Sequence, residues 1–252
     1  MASISDQAKE DKLLLARIED ALHLSQTRHC SKFVGFLDER QGEMMRNRFS
    51  HNPFVLFYGG YPDAQRVFFG AFDAQPDTAS FPIVSLCFEY RQQAHLTHRD
   101  FLGTFMSEGV RRETIGDILC KPGRAVALVD ASVAPHLLSS VQRVGGEGVR
   151  VHSPFAGDWA DFAAQKSDYR DTVASLRLDA VLHVMLRHSR TQACDLIRAG
   201  LVSVNHVVCT CVSRILDQGD VVSVKGKGRF VLEQVGAESK KGRLFITVSK
   251  FV

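Results

Sequence analysis

Residues Arg177–Lys225 read RLDAVLHVMLRHSRTQACDLIRAGLVSVNHVVCTCVSRILDQGDVVSVK. In this stretch Leu178, Val181, Leu182, Met185 and Leu186 recur at i, i+3, i+4, i+7 and i+8, which makes one apolar stripe on a helix. Ser189 closes that element and opens another. Its hydroxyl can accept from the free N–H groups of a new helix, and Gln192 three residues on completes a capping box. Ala193, Leu196 and Ile197 supply the buried face of this second helix, and Gly200 stands where a helix end favours a left-handed residue. Leu201 to Val204 and Val207 to Cys209 alternate around Asn205-His206 and predict a hairpin. Asn205 tolerates positive φ there; His206 does so less readily. Asp217-Gln218-Gly219-Asp220 predicts a turn into a strand from Val221 to Val224. A basic, glycine-rich bend over 225–229 and two strands, Phe230 to Val235 and Leu244 to Val252, complete the pattern.

The outward positions are basic. Arg187, Arg190 and Arg198 lie beside the apolar stripes, not in them. A short helix that starts with arginines suits phosphate, because its free N–H groups and partial positive charge point the same way. From Leu176 onward there are 12 Lys and Arg against 6 Asp and Glu, a balance of +6. Residues 1–175 hold 19 and 22, a balance of −3, so the overall +3 hides a concentrated basic field. Such a field is the electrostatic footprint of a phosphate-binding surface. Solubility alone can also make a small domain basic; the helix and hairpin pattern decides for nucleic acid.

This order of two helices, a Val-x-Val-Asn hairpin and a Gly-Asp strand resembles the S4 (αL) RNA-binding domain. The resemblance rests on Arg177-Leu178-Asp179, Ser189-Arg190, Gln192-Ala193, Ile197, Gly200, Val202, Val204-Asn205 and Gly219-Asp220. His206 departs from it, since that domain usually has Gly after the Asn. The expected RNA contacts are Arg177, Arg187, His188, Ser189, Arg190, Gln192 and Arg198, extended by Lys225, Lys227 and Arg229.

Upstream, residues 8–24 predict a helix, 39–49 another, and Phe54 to Tyr58 and Arg66 to Phe72 strands around a Gly59-Gly60-Tyr61-Pro62-Asp63 loop. Residues 82–152 follow a β-α-β-β-α-β order, the split βαβ plan of ferredoxin-like and RNA-recognition folds. The aromatic stacking signature of the RNA-recognition motif is absent from it. The fold class is therefore α+β. The expected domains are 1–78 (N-terminal α/β region), 79–157 (RRM-like), 158–175 (linker helix, Asp158 to Lys166, and strand) and 176–252 (S4). Trp159 is read as a packing residue of that linker helix.

The block from Leu96-Thr97-His98-Arg99-Asp100-Phe101-Leu102-Gly103 through Gly116-Asp117-Ile118-Leu119, with Gly59-Gly60-Tyr61 and Thr172 to Ser175, resembles the YlmH family of bacterial S4-domain proteins. That resemblance implies a cytoplasmic, non-enzymatic, monomeric RNA-binding protein. It implies binding to ribosomal RNA of the large subunit and to peptidyl-tRNA in ribosome-associated quality control, with a link to cell division. His98, Arg99, Arg111 and Arg112 form a candidate second RNA surface.

Other chemistries fit less well. His98-Arg99-Asp100 resembles a kinase catalytic loop, but Phe105 stands where a magnesium-binding Asn is needed. Asp100 reads instead as a cap for its helix, with Thr97. Arg177-Leu178-Asp179 resembles the catalytic triplet of pseudouridine synthases, yet here it opens the S4 helix. An RNA-modifying enzyme of the pseudouridine-synthase type remains one alternative, its pocket expected near His98, Asp100 and Asp117, and a cell-division-linked interaction protein the other. The six cysteines are scattered without a CxxC pair, and the histidines show no paired ligand spacing, so no metal or other cofactor is expected. No apolar run approaches the roughly 20 residues a membrane span needs, and no export signal opens the chain.

Overall fold

In the computed structural model the described residues are 4–162, 166–205, 207–239 and 242–251, with residues 4–7 described by backbone alone. The chain divides into two units, Met1–Ala163 and Ala164–Val252.

In the first unit, helix α1 (Ile4–Arg28) lays Leu14, Ile18 and Ala21 on a three-stranded antiparallel sheet. Its strands are β1 (Lys32–Leu37), β2 (Val55–Tyr58) and β3 (Val67–Ala71), in the order β1-β3-β2. Between β1 and β2 runs α2 (Glu39–Arg48), which Asp38 and Gln41 close with a reciprocal capping box. Strand β3 is buried along its whole length. Successive side chains on a strand point to opposite faces. Phe69 thus joins Leu14, Ile18 and Met45, while Phe68 joins Phe36, Phe72 and Phe81 on the other side.

The next elements are β4 (Ile83–Glu89), α3 (His98–Ser107), β5 (Ile115–Lys121), β6 (Arg124–Asp130) and α4 (Ala134–Ser140). A short ribbon, β7 (Arg143–Val144) with β8 (Glu147–Gly148), leads to β9 (Arg150–His152). The sheet order is β5-β6-β4-β9, antiparallel throughout. This is the expected β-α-β-β-α-β plan, with both helices on one face. There Phe88, Phe101, Phe105 and Leu137 are fully buried. The opposite face carries Cys87, Val126 and Leu128, which pack against Phe36, Phe68 and Phe81. The two sheets of this unit therefore share one phenylalanine-rich core. Gly116 permits the close approach, because a Cβ there would lie 2.5 Å from the Phe36 ring.

The loop between β2 and β3 is tied to β5 through Asp117, which is 8% exposed. Its carboxylate accepts from the Tyr61 hydroxyl (2.9 Å), the Gln65 N–H (2.7 Å) and the Arg66 N–H (3.1 Å). The Arg66 guanidinium donates to the carbonyls of Ile115 and Phe36, both at 2.9 Å. The helix expected over Asp158 to Lys166 is instead one 3-10 turn, Trp159–Phe162, with residues 163–165 outside the described ones. Trp159 stacks on Tyr61 and meets Phe155 edge-on, so aromatic packing rather than helix periodicity shapes this segment.

The second unit starts with β10 (Lys166–Val173), then α5 (Leu178–Leu186) and α6 (Arg190–Arg198). Strands β11 (Val202–Val204), β12 (Val207–Val208), β13 (Val221–Val224), β14 (Gly228–Glu238) and β15 (Leu244–Phe251) follow. They form one antiparallel sheet ordered β10-β15-β14-β13-β11-β12. Leu178, Val181, Leu182 and Met185 from α5 and Ala193 and Ile197 from α6 are buried against Val202, Val204, Val222, Val224 and Phe230. Both predicted apolar stripes thus face the sheet.

Candidate nucleic-acid interface

The junction of α5 and α6 is built by backbone chemistry first. Helix α5 ends at Arg187, whose φ of 53° is left-handed. Two residues later Ser189 accepts from the Gln192 N–H at 3.2 Å while the Gln192 side chain accepts from the Ser189 N–H at 3.1 Å. This is the expected capping box, and it sets Arg190 at the positive end of α6. Gly200, at φ 68°, ends that helix as its position predicted. The half-buried His188 donates its N–H to the His183 carbonyl. Arg187, Ser189, Arg190, Gln192 and Arg198 are exposed.

Asp179 organises the arginines. It sits in the first turn of α5 and is 4% exposed. Its two carboxylate oxygens accept from Arg177 Nε (3.1 Å) and from Arg190 Nε (2.8 Å). The Arg190 terminal nitrogen also lies 2.7 Å away. Both guanidinium groups still present surface, with side chains 38% and 55% exposed. The sequence reading took Arg177-Leu178-Asp179 only as the opening of a helix and did not anticipate this bridge. The available signal was a carboxylate set among Leu178, Val181 and Leu182, on the buried side of the stripe. The N–H groups of Leu178 and Asp179 are meanwhile taken by the carbonyls of Arg214 and Val212.

Burial raises the Asp179 carboxyl, but the hydrogen bonds from Arg177 and Arg190 outweigh it and hold the group below its ordinary value. A depressed carboxyl contributes stability above its unfolded value of 3.8, and the contribution disappears as pH falls through the lower folded value. Asp179→Ala is therefore expected to cost roughly 2 kcal/mol at neutral pH. The difference from the parent chain should shrink below about pH 3.8. Denaturant midpoints measured across pH check this; a difference that persists in acid would contradict it.

Arg187 is positioned by a residue from another element. Its guanidinium lies 4.9 Å from the centre of the Tyr169 ring on β10, and the Tyr169 hydroxyl donates to the Met185 carbonyl. Neither contact follows from sequence spacing. At the other end of α6, the Lys225 N–H donates to the Leu201 carbonyl at 2.9 Å. The exposed Lys225 and Lys227 thus stand at the β13–β14 turn, near the last turn of α6 that carries Arg198. Arg229 is half-buried over the Phe251 ring at 4.8 Å.

Asn205 explains why the hairpin and the Gly-Asp turn occur together. Asn205 has a φ of 48° and follows Val204, which pairs with Val207. Its amide donates to Asp220 (2.8 Å) and its oxygen accepts from the Val221 N–H (2.9 Å). His206 lies outside the described residues.

The second expected surface is divided. His98 and Arg99 open α3 and are exposed, while Arg111 lies 3.5 Å from Glu113. Arg112 donates to the Ile115 carbonyl at 2.7 Å. Asp100, as expected, accepts from the N–H and hydroxyl of Thr97, both at 2.7 Å. Among the described residues, no cluster of three or more His, Cys, Asp or Glu is placed to hold a metal ion, and no helix is long and apolar enough to cross a membrane.

Residues 76–155 match the family described as "Putative RNA-binding domain in YlmH", and residues 176–222 match the S4 domain. Fold and matches together define an α+β RNA-binding protein with an S4 domain in its C-terminal unit. Over 247 residues the chain is 28% identical to the Ribosome-associated protein quality control protein P2 of Bacillus subtilis, covering 96% of each chain. The chain thus carries matches to the RNA-binding domain of YlmH and to the S4 domain, in the same order as the similarity to the YlmH family expected from the sequence. Among solved structures it is similar to the cell division protein ylmH from Streptococcus pneumoniae. That similarity has a TM-score of 0.49 and 18% identity, over 64% of this chain and 96% of the other.

Proposed function

We propose that this chain is a non-catalytic cytoplasmic protein that binds ribosomal RNA of the large subunit through the α5–α6 junction, acting as a monomer. Peptidyl-tRNA on stalled subunits is its second RNA partner. The observation that carries the reading is the Arg177–Asp179–Arg190 bridge. It holds two partly exposed guanidinium groups in fixed positions. A cation held in place before binding loses less freedom when it meets a phosphate. The name of the Bacillus subtilis relative supports the ribosome as the site of action.

Two carboxylates of the alternative catalytic pocket have other work. Asp100 is engaged by Thr97, and Asp117 by Tyr61, Gln65 and Arg66. Their commitment supports a binding role over catalysis.

Ultraviolet crosslinking in cells, with mapping of both partners, tests the proposal. Crosslinked peptides are expected from α5, α6 and the β13–β14 turn, joined to large-subunit RNA. Crosslinks confined to messenger RNA, or absent from α5 and α6, would refute it.

A further inference from the structure

The central β-α-β-β-α-β domain has lost the surface that such folds commonly offer to RNA. RNA-recognition sheets stack bases on their open face. Here that face carries Cys87, Val126 and Leu128, each at most 1% exposed, beneath Phe36, Phe68 and Phe81. The sheet face of this domain is therefore closed to RNA, which leaves its edges, loops and helices.

One edge is concave. An open groove of about 550 Å³ is lined by Glu89, Tyr90 and Arg91 after β4 and by Gln142, Val149 and Arg150 around the β7–β8 ribbon. Its size falls within the usual range for small-molecule sites, roughly 300–1,000 Å³. Tyr90 is fixed from below, with its N–H donating to the Gly123 carbonyl (3.1 Å) and its hydroxyl to the Lys121 carbonyl (2.8 Å). Glu89 stands in register with Arg150 on one neighbouring strand and Arg124 on the other. Glu89 is the single acid of the lining against Arg91 and Arg150, which leaves the groove net positive by one charge. Among the described residues neither Arg91 nor Arg150 makes an ion pair, and both are exposed.

We infer that this groove takes one unstacked nucleotide of a single-stranded RNA segment. Arg91 and Arg150 meet its phosphates. The exposed Gln142 amide, both donor and acceptor, reads a base edge. Tyr90 and Val149 supply apolar contact. A concavity of this size suits a splayed nucleotide rather than a duplex, which is recognised over a broad, shallow groove. The inference rests on the RNA-binding reading above and adds a site separate from the α5–α6 junction.

The test uses the full chain, a labelled ten-nucleotide single-stranded RNA carrying 4-thiouridine, and purified large ribosomal subunits. With Arg91→Glu and Arg150→Glu combined, affinity for the oligonucleotide is expected to fall at least tenfold. The slope of log affinity against log salt should flatten by about 1.4, for two lost phosphate contacts. Crosslinks to the unaltered chain should fall in peptides containing Tyr90 or Gln142, a readout that needs no variant to fold. Unchanged affinity and slope, or crosslinks elsewhere, would overturn the inference. So would an acidic peptide that competes as well as RNA. If Arg187→Ala with Arg190→Ala alone abolishes oligonucleotide binding, the groove is wrong and the α5–α6 reading stands. If that pair leaves subunit binding intact while oligonucleotide binding still needs Arg91 and Arg150, the groove stands and the α5–α6 reading falls.

Discussion

In a co-sedimentation assay at near-physiological salt, a chain carrying Arg187→Ala and Arg190→Ala is expected to remain in the supernatant while the unaltered chain pellets with large ribosomal subunits. The two side chains flank Ser189 at the only turn between α5 and α6, so their loss empties the centre of the proposed surface. If about five phosphates are neutralised in the complex, log affinity falls against log salt with a slope near −3.5 to −4.5. Removing two contacts should flatten that slope by about 1.4 to 1.8. Arg190→Ala also leaves Asp179 with Arg177 as its remaining ion-pair partner among the described residues. The comparison therefore includes Arg190→Lys, which keeps the charge, and thermal unfolding of every variant. A folded double variant that pellets normally would remove the α5–α6 junction from the interface.

The largest effect on stability is expected at Asp117. Asp117→Ala strands the Tyr61 hydroxyl and the N–H groups of Gln65 and Arg66, all facing a site from which solvent is nearly excluded. Each buried polar group left without a partner costs about 1–3 kcal/mol. Local relaxation recovers part of the sum, so a loss of roughly 3–4 kcal/mol is expected in denaturant unfolding. Tyr61 reports on the same node. Burial, then the nearby Asp117 charge, pushes its phenol well above the ordinary value. The substitution should bring its titration back toward the usual range, which ultraviolet difference spectra would show. Wild-type stability in the Asp117→Ala chain would mean that the loop is held by other contacts.

Elements with local causes were readable in advance. The α5 stripe, the Ser189–Gln192 box, the Thr97–Asp100 cap and the left-handed Gly200 each depend on residues within a few positions of one another. The β-α-β-β-α-β order followed from alternation and turns for the same reason. What could not be read were contacts between residues far apart in the chain: Tyr169 under Arg187, Asn205 with Asp220, and Tyr61 with Asp117. The expected helix at Asp158 to Lys166 failed on this ground too, since Trp159 is placed by Tyr61, almost a hundred residues earlier.

From its order of residues alone, the chain determined that two short basic helices and a hairpin would form near the C-terminus, because hydrogen bonding and apolar spacing within a segment are local. Only the tertiary structure decided which cations are held and which surfaces stay open. Asp179 meets Arg190 across a helix junction, and the face of one sheet is closed by the phenylalanines of another. Both outcomes depend on chain folding back on itself, where burial multiplies the strength of a charge and removes a face from water.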